Sequence, residues 1–132
     1  MKKILFTIFS GTLLILMASC ASSRIIPADL SYTQLIQMGQ DEYEIGNYKA
    51  AEEYYSAVIQ RFGMNTNVYI EATYELGHLY LNRKDYERAF AKFNEIIELY
   101  ETAEFGVLPA SFKKLSQLGI DRIPEKFKPG YN

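Results

Sequence analysis

The 132-residue chain has one cysteine, one histidine and no tryptophan. A lone cysteine, Cys20, excludes an internal disulfide framework and any metal site built from several thiolates. With His78 the only imidazole, Ser-His-Asp or Cys-His catalysis would rest on a single side chain. No glycine-rich phosphate loop is present, and no cofactor motif. Excess charge of one sign is also missing: 14 Lys and Arg face 16 Asp and Glu, for a net charge of -2. Nucleic acid asks for a basic face, and this balance does not supply one. Long alternating runs of β-branched residues are absent too, so strands are not required and the chain reads as all-α.

What is present begins at the amino terminus. Lys2 and Lys3 precede "ILFTIFSGTLLILM", fourteen mostly apolar residues. At about 1.5 Å per residue a helix of that length reaches only about 21 Å, short of a bilayer core near 30 Å. The pattern is that of a secretory signal over residues 1–19, whose removal takes away two lysines and no acid and brings the net charge from -2 to -4. The small residues Ala18 and Ser19 then lead into Cys20, and "LMASC" resembles the lipobox of bacterial lipoproteins. The resemblance implies cleavage before Cys20, a diacylglycerol on its thiol and acylation, such as palmitate, of the new amino group. Several chains at one site make a durable anchor, since each buried CH₂ contributes about 0.8 kcal/mol. Ala21, where an aspartate would imply inner-membrane retention, points to the outer membrane facing the periplasm. The competing reading is an ordinary signal peptide cut near Ala21 or Ser22. Residues 20–30, "CASSRIIPADL", have no helical period and read as a lipidated tether.

A fold is expected over residues 31–120. "SYTQ" has the form of a capping box, with Ser31 and Gln34 satisfying amides of the first turn. Apolar stripes at helical spacing follow: Leu35, Met38, Gly39 and Tyr43; then Ala51, Tyr54, Tyr55, Val58 and Ile59 after the Gly46-Asn47 break. A third runs through Thr73, Leu76, Gly77, Tyr80 and Leu81, and a fourth through Ala89, Phe90, Phe93, Ile96, Ile97 and Tyr100. "MGQDEYEIGNYKAAEEYYSAVI" lies over "LGHLYLNRKDYERAFAKFNEII" at a constant offset of 38. It aligns Gly39 with Gly77, Ala51 with Ala89, and Tyr55 with Phe93.

In these residues the chain resembles the tetratricopeptide repeat family, with Gly39 and Gly77 at the small position of helix A and Ala51 and Ala89 at that of helix B. The resemblance implies antiparallel helix pairs stacked as a short α-solenoid. The family period is 34 residues. The four extra residues fall around "RFGMNTNVYIE" and imply a longer helix B, a longer loop, or both. The spacing is also similar to the amino-terminal repeats of BamD-type lipoproteins of β-barrel assembly. Past Gly106, "LPASFKKLSQLG" is expected to form a capping helix with Pro109 in its first turn and Phe112, Leu115 and Leu118 on one side. Residues 121–132 read as an extended tail, from which Ile123 and Phe127 pack back or meet a partner.

Repeats of this family bind partners on the face lined by helix A. Carried over position by position, the groove is Thr33, Ile36, Gln40, Tyr43 and Glu44 in the first repeat and Glu71, Tyr74, His78, Leu81 and Asn82 in the second. Ile36, Tyr43, Tyr74 and Leu81 would be apolar anchors, and Gln40, His78 and Asn82 would hydrogen-bond an extended backbone. The alternative is that Tyr43 and Tyr74 only cover the helix packing. Glu71, Glu75 and His78 have the spacing of one half of a di-metal helix site, but the aligned Thr33, Gln37 and Gln40 offer no second half, so no metal is expected. Glu52, Glu53 and "RKDYER" read as solvated charge. The expectation is a membrane-anchored scaffold that is not an enzyme, binds protein partners, with an outer-membrane assembly complex as the candidate setting, and takes no cofactor. The alternative is a periplasmic ligand carrier or small enzyme using the cleft near His78.

Overall fold

The computed structural model describes residues 24–104 and 106–130, so the signal and Cys20 lie outside the described residues. Five α-helices follow one another: α1 (Tyr32–Glu44), α2 (Tyr48–Phe62), α3 (Thr66–Asn82), α4 (Tyr86–Thr102) and α5 (Ala110–Asp121), then a 3-10 turn at Glu125–Phe127. No strand occurs among the described residues. Each helix packs on its chain neighbours, α3 also touches α1, and α5 also touches α3. This is a helical-repeat arrangement of antiparallel pairs closed by α5.

The two pairs are built alike. Ser31 caps α1 as the sequence predicts: its Oγ accepts the Gln34 amide at 3.3 Å, and its own amide donates to Gln34 Oε1 at 2.9 Å. Helix α1 ends at a left-handed Gly46 (φ 80) and α3 at a left-handed Lys84 (φ 60). In both turns the two amides past the helix reach back in the same way. Gly46 N donates to Tyr43 O and Asn47 N to Glu42 O; 38 residues on, Lys84 N donates to Leu81 O and Asp85 N to Tyr80 O. These are paired Schellman turns. Asp85 Oδ1 then accepts the Arg88 amide and caps α4.

Inside each pair the glycine decides the distance of approach. A Cβ on Gly39 would lie 2.4 Å from the Tyr55 ring, and one on Gly77 would lie 2.8 Å from Phe93. Tyr55 and Phe93 are each 1% exposed, so neither ring has room to retreat. Ala51 and Ala89, both 0% exposed, let the same helices close.

Three expectations need correction. The four extra residues of the repeat lie neither in helix B nor in the loop. Only Gly63 to Asn65 separate α2 from α3, and α3 starts a turn early because Asn65 Oδ1 accepts the amides of Asn67 and Val68. Helix α5 does not bury Leu115 and Leu118, which are 38% and 51% exposed. It turns Ser116 and Gly119 to the core instead, because a Cβ at Gly119 would sit 2.5 Å from Phe93 and no leucine fits there. Pro109 is the residue before this helix rather than part of its first turn.

Neither end segment is simply extended. Ile123 is 2% exposed in the core, and Phe127 meets the Tyr86 ring at 4.9 Å between centroids. At the other end, the tether is held down from Arg24 onward. Arg61 of α2 donates to the carbonyls of Pro27 at 2.6 Å and Ile26 at 2.8 Å, and Arg24 pairs with Glu42 at 3.1 Å. Ile26 and Leu30 pack against the core. The Arg61 contacts to this strap join residues 34 and 35 apart, out of reach of any local sequence pattern.

Two expectations for stability follow from these contacts. Gly77→Ala should lower the urea midpoint, because overpacking at about 1–3 kcal/mol outweighs the gain of about 1 kcal/mol in helix propensity. In a Phe93→Leu background the same change should cost less than in the parent, and a Gly77→Ala chain more stable than the parent would refute the close-approach account. Thr73 is fully buried, and its hydroxyl has no hydrogen-bond partner among the described residues. Thr73→Val is therefore expected to match or exceed the parent, by up to about 1 kcal/mol in the same unfolding measurement.

Candidate functional site

The helix A residues form a seam of rings across both repeats. The Tyr43 ring lies 5.6 Å from Tyr48 and 5.7 Å from His78, and His78 stacks on Tyr74 at 6.2 Å with 11° between planes. Tyr74 then meets Phe93 at 5.9 Å and Phe112 of α5 at 5.5 Å. Tyr43 and His78 come from different repeats and are joined by Asn82, whose Nδ2 lies 2.5 Å from Tyr43 Oη and 3.2 Å from His78 Nε2. Asn82 Nδ2 also donates to the His78 carbonyl at 3.0 Å.

Past His78 the seam opens into a cavity of about 480 Å³ between α3 and α5. Tyr74, His78 and Leu81 form one wall and Leu115, Leu118 and Arg122 the other, with Phe93 and Gly119 behind. The second wall was not legible as part of the groove. The two leucines and the arginine come from the segment read as a cap and tail. Their signal was the leucine pair itself, three residues apart on a helix whose small residues sit on the core side.

The expected groove residues therefore divide. Tyr74, His78 and Leu81 meet at the cavity. Ile36 and Leu81 are each only 6% exposed, so as partner anchors they are corrected: Ile36 belongs to the core, and Leu81 shows the cavity no more than an edge. Gln40 donates to Glu75 Oε1 at 3.1 Å, a contact between repeats. Tyr43 and Asn82 sit at the seam, and Glu44 is exposed at the end of α1. Glu71 is half-buried, and its charge bears on Glu75. Thr33 is exposed beside Ser31, with 3.0 Å between the hydroxyls. Among the described residues no three His, Cys, Asp or Glu side chains come together as a metal-holding group.

The electrostatics of the seam follow from burial. It pushes the Glu75 carboxyl above its usual range, against the Gln40 hydrogen bond and helped by nearby Glu71. It also holds the His78 imidazole below its ordinary 6.5, with Arg122 adding to the effect. His78 is thus neutral near pH 7, with one ring nitrogen to donate and one to accept.

On the opposite side, Glu52 is more than solvated charge. It accepts from Tyr80 Oη at 2.9 Å and pairs with Arg88 at 3.2 Å and Arg83 at 3.5 Å, tying α2 to the second pair. The Tyr80 phenol is pushed up to about 12, by burial first and then by Glu52. Arg88 also lies 4.3 Å over the Tyr80 ring.

With this geometry the chain is a short all-helical repeat protein. No protein-family model matches it. No solved structure matches it either. It is 30% identical over 108 residues to an uncharacterized protein of Treponema pallidum (strain Nichols), a stretch covering 80% of this chain and 43% of that relative. The chain thus spans less than half the length of that relative. No helix among the described residues is long and apolar enough to cross a membrane.

The His78 environment has a pH signature. A lowered folded pKa means the unfolded chain takes up the proton first, so the contribution of His78 is present above about pH 6.5 and lost as pH falls through that value toward the folded pKa. Glu75 acts in the opposite sense, since its raised carboxyl takes up a proton in the fold before it does in the unfolded chain. The difference between the parent and His78→Gln isolates the imidazole. The parent is expected to lose more stability than the variant between about pH 7.5 and 5.5, and parallel pH curves would contradict the assignment.

Proposed function

We propose that this protein is a bacterial lipoprotein, attached to a membrane through Cys20, whose two tetratricopeptide-like repeats act as a protein-binding scaffold. The observation that carries the reading is the ring seam from Tyr43 through His78 to Tyr74, ending in the cavity against α5. It combines apolar walls with the neutral, two-way hydrogen bonding of His78 and Asn82, the mixture that orients an extended segment. The partner is a protein of the cell envelope, and the resemblance to BamD-type repeats makes an outer-membrane assembly complex the first place to look. Outer-membrane attachment facing the periplasm belongs to the same reading. The scaffold carries out no chemistry of its own.

Two changes test it. Cys20→Ser is expected to abolish incorporation of labelled palmitate and cleavage before residue 20; unchanged labelling would overturn the anchor. Leu118→Glu places a carboxylate at the half-exposed cavity mouth and should leave helicity and thermal midpoint unchanged. Recovery of the partner in pull-downs from envelope membranes should fall at least about tenfold, the equivalent of about 1.4 kcal/mol. Undiminished recovery with both Leu118→Glu and Tyr74→Ala would refute the groove.

The volume of about 480 Å³ also suits a small apolar ligand. His78→Ala separates the two readings by what is lost: a carrier or enzyme that uses this cleft loses binding of a small ligand by the isolated chain, whereas a protein scaffold loses recovery of its partner.

A further inference from the structure

We propose that the end of the solenoid around the α1–α2 turn rests on a lipid bilayer, and that the Arg24–Leu30 strap sets this orientation. The proposal rests on the lipidation of Cys20. A flexible tether would leave the repeats free to tumble beneath the membrane, but the strap removes most of that freedom. It runs alongside α2, with Arg24 and Ile26 forming one wall of a cavity whose other wall runs from Lys49 to Arg61. Ile26 and Pro27 are held by Arg61, in the last turn of α2. Arg24 is held by Glu42, near the end of α1, with its guanidinium 5.6 Å from the Tyr54 ring. Traced backward from Leu30, the chain therefore leaves the fold in the direction of the α1–α2 turn.

Cys20 lies four positions before Arg24, a reach of at most about 14 Å. Helix α2, with 15 residues, is about 22 Å long. Because Arg24 is tied to Glu42, two residues before the end of α1, the attachment point is biased toward the turn end of the molecule. The surface there has interfacial chemistry: Ile25 is 94% exposed, Ile45 77% and Tyr48 37%, with Glu44 and Lys49 exposed at the same turn. Two aliphatic side chains, a tyrosine and a lysine are the groups that settle at the boundary between headgroups and acyl chains. Isolated exposed isoleucines are common on soluble proteins; their position beside the strap's exit is what selects the bilayer as occupant. The orientation holds the repeats end-on to the membrane, with the α2–α3 connection at Met64 on the far side.

The lipidated full chain in vesicles of phosphatidylethanolamine and phosphatidylglycerol allows a clean test, because an acylated Cys20 leaves no other thiol. Ile45→Cys and Met64→Cys, both at exposed positions, are labelled with a fluorophore and exposed to headgroup nitroxide lipids. Quenching is expected to be several-fold stronger at position 45 than at 64, and Arg61→Ala, which frees the strap, should reduce that contrast. Equal quenching at the two positions, or stronger quenching at 64, in a chain with acylated Cys20 overturns this orientation alone. A mature chain whose Cys20 is a free thiol overturns the orientation and the lipoprotein reading together.

Discussion

The contact on which the structure depends is an aromatic ring laid directly on a glycine. Tyr55 on Gly39 and Phe93 on Gly77 bring the two helices of each pair to the same close approach. Phe93 has a second glycine, Gly119, on its other side, so one ring fixes both the second pair and the helix that closes the stack. A glycine inside a helix costs about 1 kcal/mol in propensity. Here that cost is offset by burial of a ring that no larger residue would admit, and the interior leaves neither helix room to slide.

From that spacing follows the arrangement of everything else. The repeated Schellman turns return each helix B against its helix A, and stacking the pairs places Tyr43, His78 and Tyr74 in line across a seam no single repeat contains. The same stacking carries Glu52 to Tyr80, Arg83 and Arg88 on the other side. Partly exposed ion pairs contribute little by themselves. The buried Tyr80 ring gives this group its specificity, because a register shift would leave the Tyr80 hydroxyl and the Glu52 carboxylate without each other. The repeats are therefore locked from both sides, by hydrogen bonding at Asn82 and Gln40 and by charge at Glu52.

Closure by α5 follows the same logic and shows where pattern reading goes astray. A hydrophobic stripe counts leucines as inward-facing, and on α5 that rule selects Leu115 and Leu118. The space between α5 and Phe93 is too narrow for them. Serine and glycine occupy it, and the leucines become a wall of the cavity beside His78. Ile36 and Leu81 show the converse: assigned to a binding face by their place in the repeat, they are drawn into the core because neighbouring helices cover them.

The local features were legible because each is written within one helix or one pair. The Ser31 capping box, the break at Gly46, the helical stripes and the matching of Gly39 with Gly77 and of Tyr55 with Phe93 all depend on residues close in sequence or on one constant offset. They determine an all-helical chain of repeated pairs. Tertiary structure alone decided which residues of α5 face inward, what Glu52 binds, and that Arg61 holds the strap. Those choices join groups 26 to 36 residues apart, and each depends on how closely the helices approach once stacked. Periodicity says which face of a helix is apolar; the space left by its neighbours decides which of those side chains is buried.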